Sequence, residues 1–296
     1  MTQAALMSRI LDVDKRSPLG PVRPLHDRDG WLADLSVDQT DPFFFDHPLD
    51  HVPGMLLVCA MADLVVVGAD IPAAGRVKAA MTFRAMAELS PELELCVGQI
   101  EDERRTVRIA QESTLVADGW VAFSSADKPV WPKRLAGSGH PPAQASLVHR
   151  MRPENVMIGD PVVADDQVTA AVVSPAEGHA LSGRRPGVHR TEAVVEAGRQ
   201  LSTWLPHRMG GWSLDTQMLW CGVTLDLPVG MPRSLPLTLR WQTAPIPADR
   251  AKFRFDVIAG GDGVGDKGSV VGSLIYASTV MRPEAYARLR ANRSAG

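Results

Sequence analysis

At 296 residues the chain exceeds one small core and suits two domains of roughly 150 residues each. Its formal charge of −3 gives no whole-molecule attraction to polyanions, which argues against a nucleic-acid binder and makes any anion site a local one. Three widely spaced cysteines, Cys59, Cys96 and Cys221, form no CxxC pair and indicate neither a disulfide framework nor a zinc site, so a reducing cytoplasm is the natural home.

The opening MTQAALMSRILDVDKR lacks a long apolar region and carries charge, so it does not read as a signal peptide. GWLADLSVD then alternates as a strand does, the loop TDPFFFDHPLDHVPG follows, and MLLVCAMADLVVVGAD supplies a helix. That apolar run is broken by Asp63 and falls short of the ~20 residues a membrane span needs, so a buried helix is expected and no membrane partner is implied. Next come VKAAMTFRAMAEL and the stretch from ELELCVGQI to WVAFSSA, rich in β-branched residues at alternating positions. With aromatic content at 5%, the core is expected to rest on Val, Leu, Ala and Met, the methionines Met55, Met61, Met81 and Met86 among them.

ADKPVWPKRLAGSGHPPAQA, residues 126 to 145, collects prolines, glycines and small residues as a surface connection does. The expected organisation is a first repeat at 1–135, a connection at 136–145 and a second repeat at 146–296. In the second, VTAAVVSPA leads into EGHALSGRRPG and then the helix VHRTEAVVEAGRQLSTWL. The strands TQMLWCGVTLDL, LPLTLRWQTAPI, AKFRFDVIAGG and GSVVGSLIYASTVM follow. One helix against an antiparallel sheet, twice over, is an α+β architecture. A long helix wrapped by a curled antiparallel sheet is the hotdog arrangement, and two of them in one chain make a double hotdog that packs as a pseudo-dimer.

TDPFFFDHPLDHVPGMLL resembles the loop-to-helix segment of 3-hydroxyacyl-carrier-protein dehydratases, where a His precedes the Pro-Gly that opens the central helix. DHPLDHVPGMLL, VHRMRPENVMIGD, the EAGRQ of the second helix and the terminal PEAYARLR together resemble the A-factor synthase family of γ-butyrolactone-forming enzymes. That resemblance implies two hotdog repeats that condense a β-ketoacyl carrier protein with dihydroxyacetone phosphate. Two departures are visible. In the family the VH(K/R)xxPxxV repeat usually precedes the DHVPGM repeat, and here the order is reversed. The helix after DHVPGM normally reads EAARQ, where this chain has Cys59, Ala60, Met61, Ala62 and Asp63, so the first helix has lost its acid and its arginine.

In the second helix, Glu192, Glu196 and Arg199 fall on one face at i, i+4 and i+7, with Gln200 beside them. One reading is a solvated face with an ordinary, weak ion pair; the other is buried charge in a core helix, which needs a purpose. By the resemblance, the Glu and Arg of the family's ExxRQ motif map onto Glu196 and Arg199. A carboxylate in a partly desolvated site, its pKa raised toward neutrality, can take the proton of an attacking hydroxyl, and Glu192 is the rival base. Arg199 can hold that acid ionised or grip a phosphate, and its role stays open. Arg184 and Arg185, just before the helix, are candidate second anion contacts or simply exposed loop residues.

His47 and His51 in the DHPLDHVPG loop are candidate catalytic histidines, and Gly54 is a candidate oxyanion donor for a thioester carbonyl. In hotdog dimers the loop histidine of one copy faces the acid on the other copy's helix, so His47 with Glu196 and Arg199 is the expected working site. His179 with Cys59 and Asp63 is the degenerate one. His189 matches a histidine of the family's other repeat, and with Gln200 completes the candidate substrate-binding set. Cys59 reads as a buried small hydrophobe. GGDGVGDKGS lacks a P-loop pattern and reads as a hairpin turn. EDERRTVR reads as a solvated turn, or as a surface whose Arg104, Arg105 and Arg108 would suit an acidic carrier protein.

No metal constellation emerges and no cofactor is implied. The implied partners are an acyl carrier protein or CoA thioester and a phosphorylated small-molecule acceptor, and a homodimer of double-hotdog chains is compatible with the fold. Besides condensation, dehydration of a 3-hydroxyacyl thioester, thioester hydrolysis and non-catalytic binding of an acyl chain or lactone stay open.

Overall fold

The computed structural model describes residues 17–25, 29–68, 71–72, 74–126, 131, 140–182, 187–247, 249–260 and 268–294. The opening stretch 1–16, most of the Pro/Gly-rich connection, Arg184 and Arg185, and residues 261–267, where a hairpin turn is expected, lie outside the described residues. The chain divides into two compact units. The first comprises 1–130, 175–193 and 224–233; the second comprises 131–174, 194–223 and 234–296. Neither is one continuous half of the sequence, because two later segments are numbered with the first unit.

In the first unit, β1 (Arg23–Pro24) and β2 (Trp31–Asp34) precede the helix α1 (Gly54–Gly68). The strands β3 (Gly75–Phe83), β4 (Leu93–Glu101), β5 (Arg104–Gln111) and β6 (Thr114–Ser125) follow it. They hydrogen-bond in the order β1-β2-β4-β5-β6-β3, all antiparallel, and residues 224–229 of a later strand, β9 (Gln217–Val229), lie next to β3. Arg76 of β3 donates to Asp226 of that strand at 2.7 Å.

Between β4 and β5 the charged turn places Asp102 and Glu103 both in the left-handed region, the geometry that matches the twist of a two-residue hairpin. Along β4, Leu93, Leu95 and Val97 point inward while Glu94 and Cys96 point away, the period of two that a half-buried strand requires. Over β2 and β4 lies α1. Its Met55, Leu56, Leu57, Cys59, Ala60, Met61, Leu64, Val65 and Val67 are all buried, as expected of a helix that is apolar on nearly every side.

The second unit holds β7 (Val162–Ala164), β8 (Gln167–Ala171), most of the helix α2 (Thr191–Met209), the first half of β9, β10 (Leu237–Gln242), β11 (Arg250–Ala259) and β12 (Ser269–Met281). The terminal helix α3 (Pro283–Ser294) closes the chain. From residues 217–223 of β9 the strand order runs β12-β11-β10-β8-β7. Buried Val194, Val195, Ala197, Leu201, Trp204 and Leu205 of α2 face this core.

The helix packs closely on β12 because residue 198 is glycine. A Cβ there would stand 2.5 Å from the Tyr276 hydroxyl, which donates to the Val195 carbonyl at 2.6 Å. At the other end, Gly211 adopts a left-handed conformation and Trp212 N–H returns to the Pro206 carbonyl, satisfying the last turn.

The core of this unit departs from the expectation of an aliphatic interior. Phe253 and Phe255, two apart on β11, share one face, and β12 sets Tyr276 opposite Phe253. With Trp241 and Trp220 they form a continuous run of ring contacts at centroid distances of 5.8 to 6.2 Å. The scarce aromatics are concentrated rather than dispersed. Met55 and Met61 are buried as expected, whereas Met81 and Met86 are only half-buried. Among the described residues no helix is long and apolar enough to cross a membrane.

Candidate functional site

The second unit encloses a buried ionic cluster around Glu196, whose side chain has no solvent exposure. The segment VHRMRPENVM starts at the end of one short 3-10 turn, Ala145–Val148, and contains a second, Pro153–Asn155; between them His149 is in the left-handed region and Arg150 reaches the middle of α2. Arg150 donates to Glu196 Oε1 through Nη2 at 2.7 Å and Nε at 3.2 Å. One turn along the helix, Arg199 forks onto the same carboxylate, with Nε on Oε2 and Nη2 on Oε1, both at 2.7 Å.

Gln200 donates its amide to Glu196 Oε1 and to the Asn155 carbonyl, each at 2.7 Å, and accepts from Met157 N–H at 2.7 Å. The amide thereby ties the loop backbone to the helix and satisfies buried groups that would otherwise be costly. Arg199 is the cluster's most exposed member, at 20% against 6% for Arg150.

Burial alone would raise the Glu196 carboxyl, but the charges and hydrogen bonds of Arg150 and Arg199 outweigh it and hold the group down to about 2. This reverses the direction expected for a general base. Alongside Arg199, a second guanidinium from a loop 46 residues upstream, Arg150, lowers the acid's pKa. The solvated-face reading of Glu196 is also excluded by its burial.

Beside the cluster, His149 Nε2 lies 2.8 Å from His207 Nε2, and His207 Nδ1 donates to the Trp212 carbonyl at 3.1 Å. With Nδ1 as donor, neutral His207 accepts at Nε2, so His149 supplies the shared proton. Burial lowers the His207 pKa, against the raising effect of the Trp212 bond.

A different cluster occupies the first unit. Arg190 donates to Asp63 at 3.1 Å, to Glu192 at 2.9 Å and to the Ala180 carbonyl at 3.0 Å, while Ser17 donates to the second Asp63 oxygen at 2.6 Å. Burial works against the guanidinium, yet Glu192, Cys59 and Asp63 together raise its pKa well above the ordinary value, so it stays charged. Glu192 is therefore an ion-pair partner of Arg190.

The five α1 residues that replace EAARQ repeat the burial of 196–200 in α2. Cys59 and Asp63 are buried as Glu196 and Gln200 are, and Ala62 is half-buried as Arg199 is. What α1 lacks is the guanidinium at the half-buried position.

His51 donates to Asp50 at 2.7 Å and is a quarter exposed, an arrangement that fixes the ring. His47 is half-buried, and Gly54 is the first residue of α1, where backbone N–H groups have no intrahelical acceptor. Just before them, Asp41 caps the Phe43 and Phe44 N–H groups, and Phe43 lies edge-on to His179 at 4.8 Å. His179 itself accepts from Leu181 N–H at 3.0 Å. His189 is buried, its backbone bound to Met231.

Of the sequence candidates, Glu196, Arg199 and Gln200 are brought together in the second unit, while His47, His51, Gly54, Glu192 and His189 belong to the first. In the sequence, Asp63 stands out only as part of the degenerate site with His179 and Cys59, and neither Arg150 nor Arg190 is marked as a site residue. Arg150 is visible as a member of VHRMRPENVMIGD and Asp63 as one of the altered EAARQ positions, but their partners Glu196 and Arg190 are not visible from the motifs. Among the described residues Cys59, Cys96 and Cys221 form no disulfide, and Cys59 is buried. Among the described residues no group of three or more metal-ligating side chains forms.

Solved structures share this fold. The dehydratase domain from the CurJ module of curacin polyketide synthase matches with a TM-score of 0.62 at 10% identity, covering 92% of this chain and 99% of that one. The dehydratase domain of RzxB from Pseudomonas fluorescens gives 0.59 at 14% identity, over 90% and 99%. The acyl-CoA thioesterase II TesB2 from Mycobacterium marinum gives 0.53 at 12%, over 94% and 100%. At such identities the likeness shows the fold, which is the double hotdog. Comparison with curated proteins returns no match. The family model described as the A-factor biosynthesis hotdog domain matches residues 21–121 and 134–260, well over half of the chain. The chain therefore belongs to the AfsA family of A-factor biosynthesis hotdog domains.

Proposed function

We propose that this protein processes acyl thioesters, condensing a β-ketoacyl group held on a carrier protein or CoA with a hydroxyl acceptor resembling dihydroxyacetone phosphate, in the biosynthesis of butyrolactone- or butenolide-type metabolites. The observation that carries this reading is the Glu196–Arg199 fork, a guanidinium at the only partly exposed position of an otherwise buried ionic cluster. A planar guanidinium held in one orientation by a carboxylate suits bidentate recognition of a phosphate. Glu196 supplies that orientation, and its lowered pKa makes it a weak base.

In the reaction the acceptor oxygen bonds to the thioester carbonyl carbon, the carbon–sulfur bond breaks, and the acceptor proton ends on the departing thiol. The histidines of the DHPLDHVPG loop are the candidates to relay that proton. His51 is oriented by Asp50 as a relay ring would be, and His47 is the other candidate. Gly54 N–H is the candidate donor to the carbonyl oxygen as it gains charge.

The test is to incubate the protein with a β-ketoacyl carrier protein, with and without dihydroxyacetone phosphate, and to weigh the products. The expected result is acceptor-dependent loss of the acyl group with formation of the phosphorylated ester. Free acid formed without acceptor would mean a thioesterase, and loss of water from a 3-hydroxyacyl substrate a dehydratase. Lactone or acyl binding without turnover would mean a binding protein. Any of these three would overturn condensation.

A further inference from the structure

We propose that Arg150 is a positioning residue for Arg199: it pins the Glu196 carboxylate from outside the helix, so that the Arg199 guanidinium is presented in a single orientation to the anionic part of the acceptor. This rests on the reading that Arg199 meets the acceptor.

The two oxygens of Glu196 are used unequally. Oε2 accepts from Arg199 Nε, whereas Oε1 accepts from Arg150, Arg199 Nη2 and Gln200. Arg199 alone would already neutralise the carboxylate as an i, i+3 neighbour. Burying a second arginine on the same acid is costly, since its desolvation must be offset by the geometry it creates. What Arg150 adds is a fixed plane. The last side-chain torsion of a glutamate is soft, with broad two-fold preference, and a partner on the same helix moves with it. Arg150 approaches from the loop preceding β7, and Gln200 clamps that loop at Asn155 and Met157. The carboxylate thus has restraints on and off the helix, and the fork of Arg199 inherits its direction.

The groups facing Glu196 are Arg150 from the loop, Arg199 and Gln200 from α2, and the Tyr276 hydroxyl side of β12, whose pKa is raised by burial first and by Glu196 second. Removal of Arg150 leaves both hydrogen bonds of the Arg199 fork chemically possible. Its contribution can therefore be separated from that of the fork.

The experiment compares the wild type with Arg150→Gln and Arg150→Lys. Steady-state kinetics with β-ketoacyl carrier protein and dihydroxyacetone phosphate should show KM for the phosphorylated acceptor raised about 10-fold or more in Arg150→Gln, with kcat changed far less. Arg150→Lys, which keeps the charge but not the fork, should recover part of the loss. Independently of turnover, carbon-13 NMR of the Glu196 carboxyl in the free protein should show its titration moved up in Arg150→Gln, and the Arg199 Nε–H signal should exchange faster. Folded Arg150→Gln with unchanged acceptor KM, Glu196 titration and Arg199 exchange would overturn the proposal. If the wild type shows no acceptor-dependent turnover, the functional reading fails by itself, and the NMR comparison still decides whether Arg150 positions the pair.

Discussion

Glu196 shows how a single residue on an apolar helix can be made tolerable. Two guanidiniums and an amide take the place of water, and the acid is held ionised at about 2 against an ordinary value of 4.5. Because its folded value is depressed, its contribution to stability is fully present above pH 4.5 and is lost as the pH falls toward 2. That contribution is on the order of 3 kcal/mol, from the size of the shift. Glu196→Gln leaves two buried arginines without their counter-charge and should cost about 3–5 kcal/mol near neutrality. Urea denaturation between pH 5 and 2 should show the gap between wild type and variant narrowing as the pH falls. A gap that stays constant across that window would mean Glu196 is not held as described.

Among elements, α1 and α2 carry the same positional pattern with different chemistry. In α1 the buried acid is Asp63, paired with Arg190 from the segment before α2, and the half-buried position is Ala62. We expect this cluster to fasten the fold without touching substrate. Asp63→Ala should lower stability by about 2–4 kcal/mol, the loss of one partner of a buried pair with Glu192 still in place. Turnover per folded molecule should be unaffected, which thermal melts alongside steady-state assays would check.

The helices and strands were legible because their periods of 3.6 and two are written in consecutive residues. VKAAMTF, ELELCVG and AKFRFDVIA all became strands, and VHRTEAVVEAGRQ became α2 from Thr191 onward. The Glu196–Arg199 pair was legible for the same reason. Arg150 was not, since its partner lies 46 residues away, and Arg190 pairs with an acid 127 residues earlier. Such pairs are decided by how loops pass over helices, which no local pattern encodes. The aromatic run was hidden likewise, because Trp241, Phe253 and Tyr276 stand on three different strands.

At the scale of the whole molecule, the compact units do not follow the order of the chain. The first unit needs residues 175–193 and 224–233, which follow the Pro/Gly-rich connection, and β9 gives its two halves to different units. A fragment ending at residue 135 should therefore fail to melt cooperatively by itself, and one beginning at 136 should likewise fail. Co-expressed, the pair should recover a cooperative transition by calorimetry. Independent, cooperative melting of either piece would contradict the assignment of segments.

The interleaving bears on how such a gene can change. A recombination event in the connection joins a first half to a foreign second half, and the product would inherit a loop and a strand shaped for another protein's interior. Arg190 would arrive without Asp63, or Asp63 without Arg190. Exchange of halves would thus leave a mismatched buried charge at this pair.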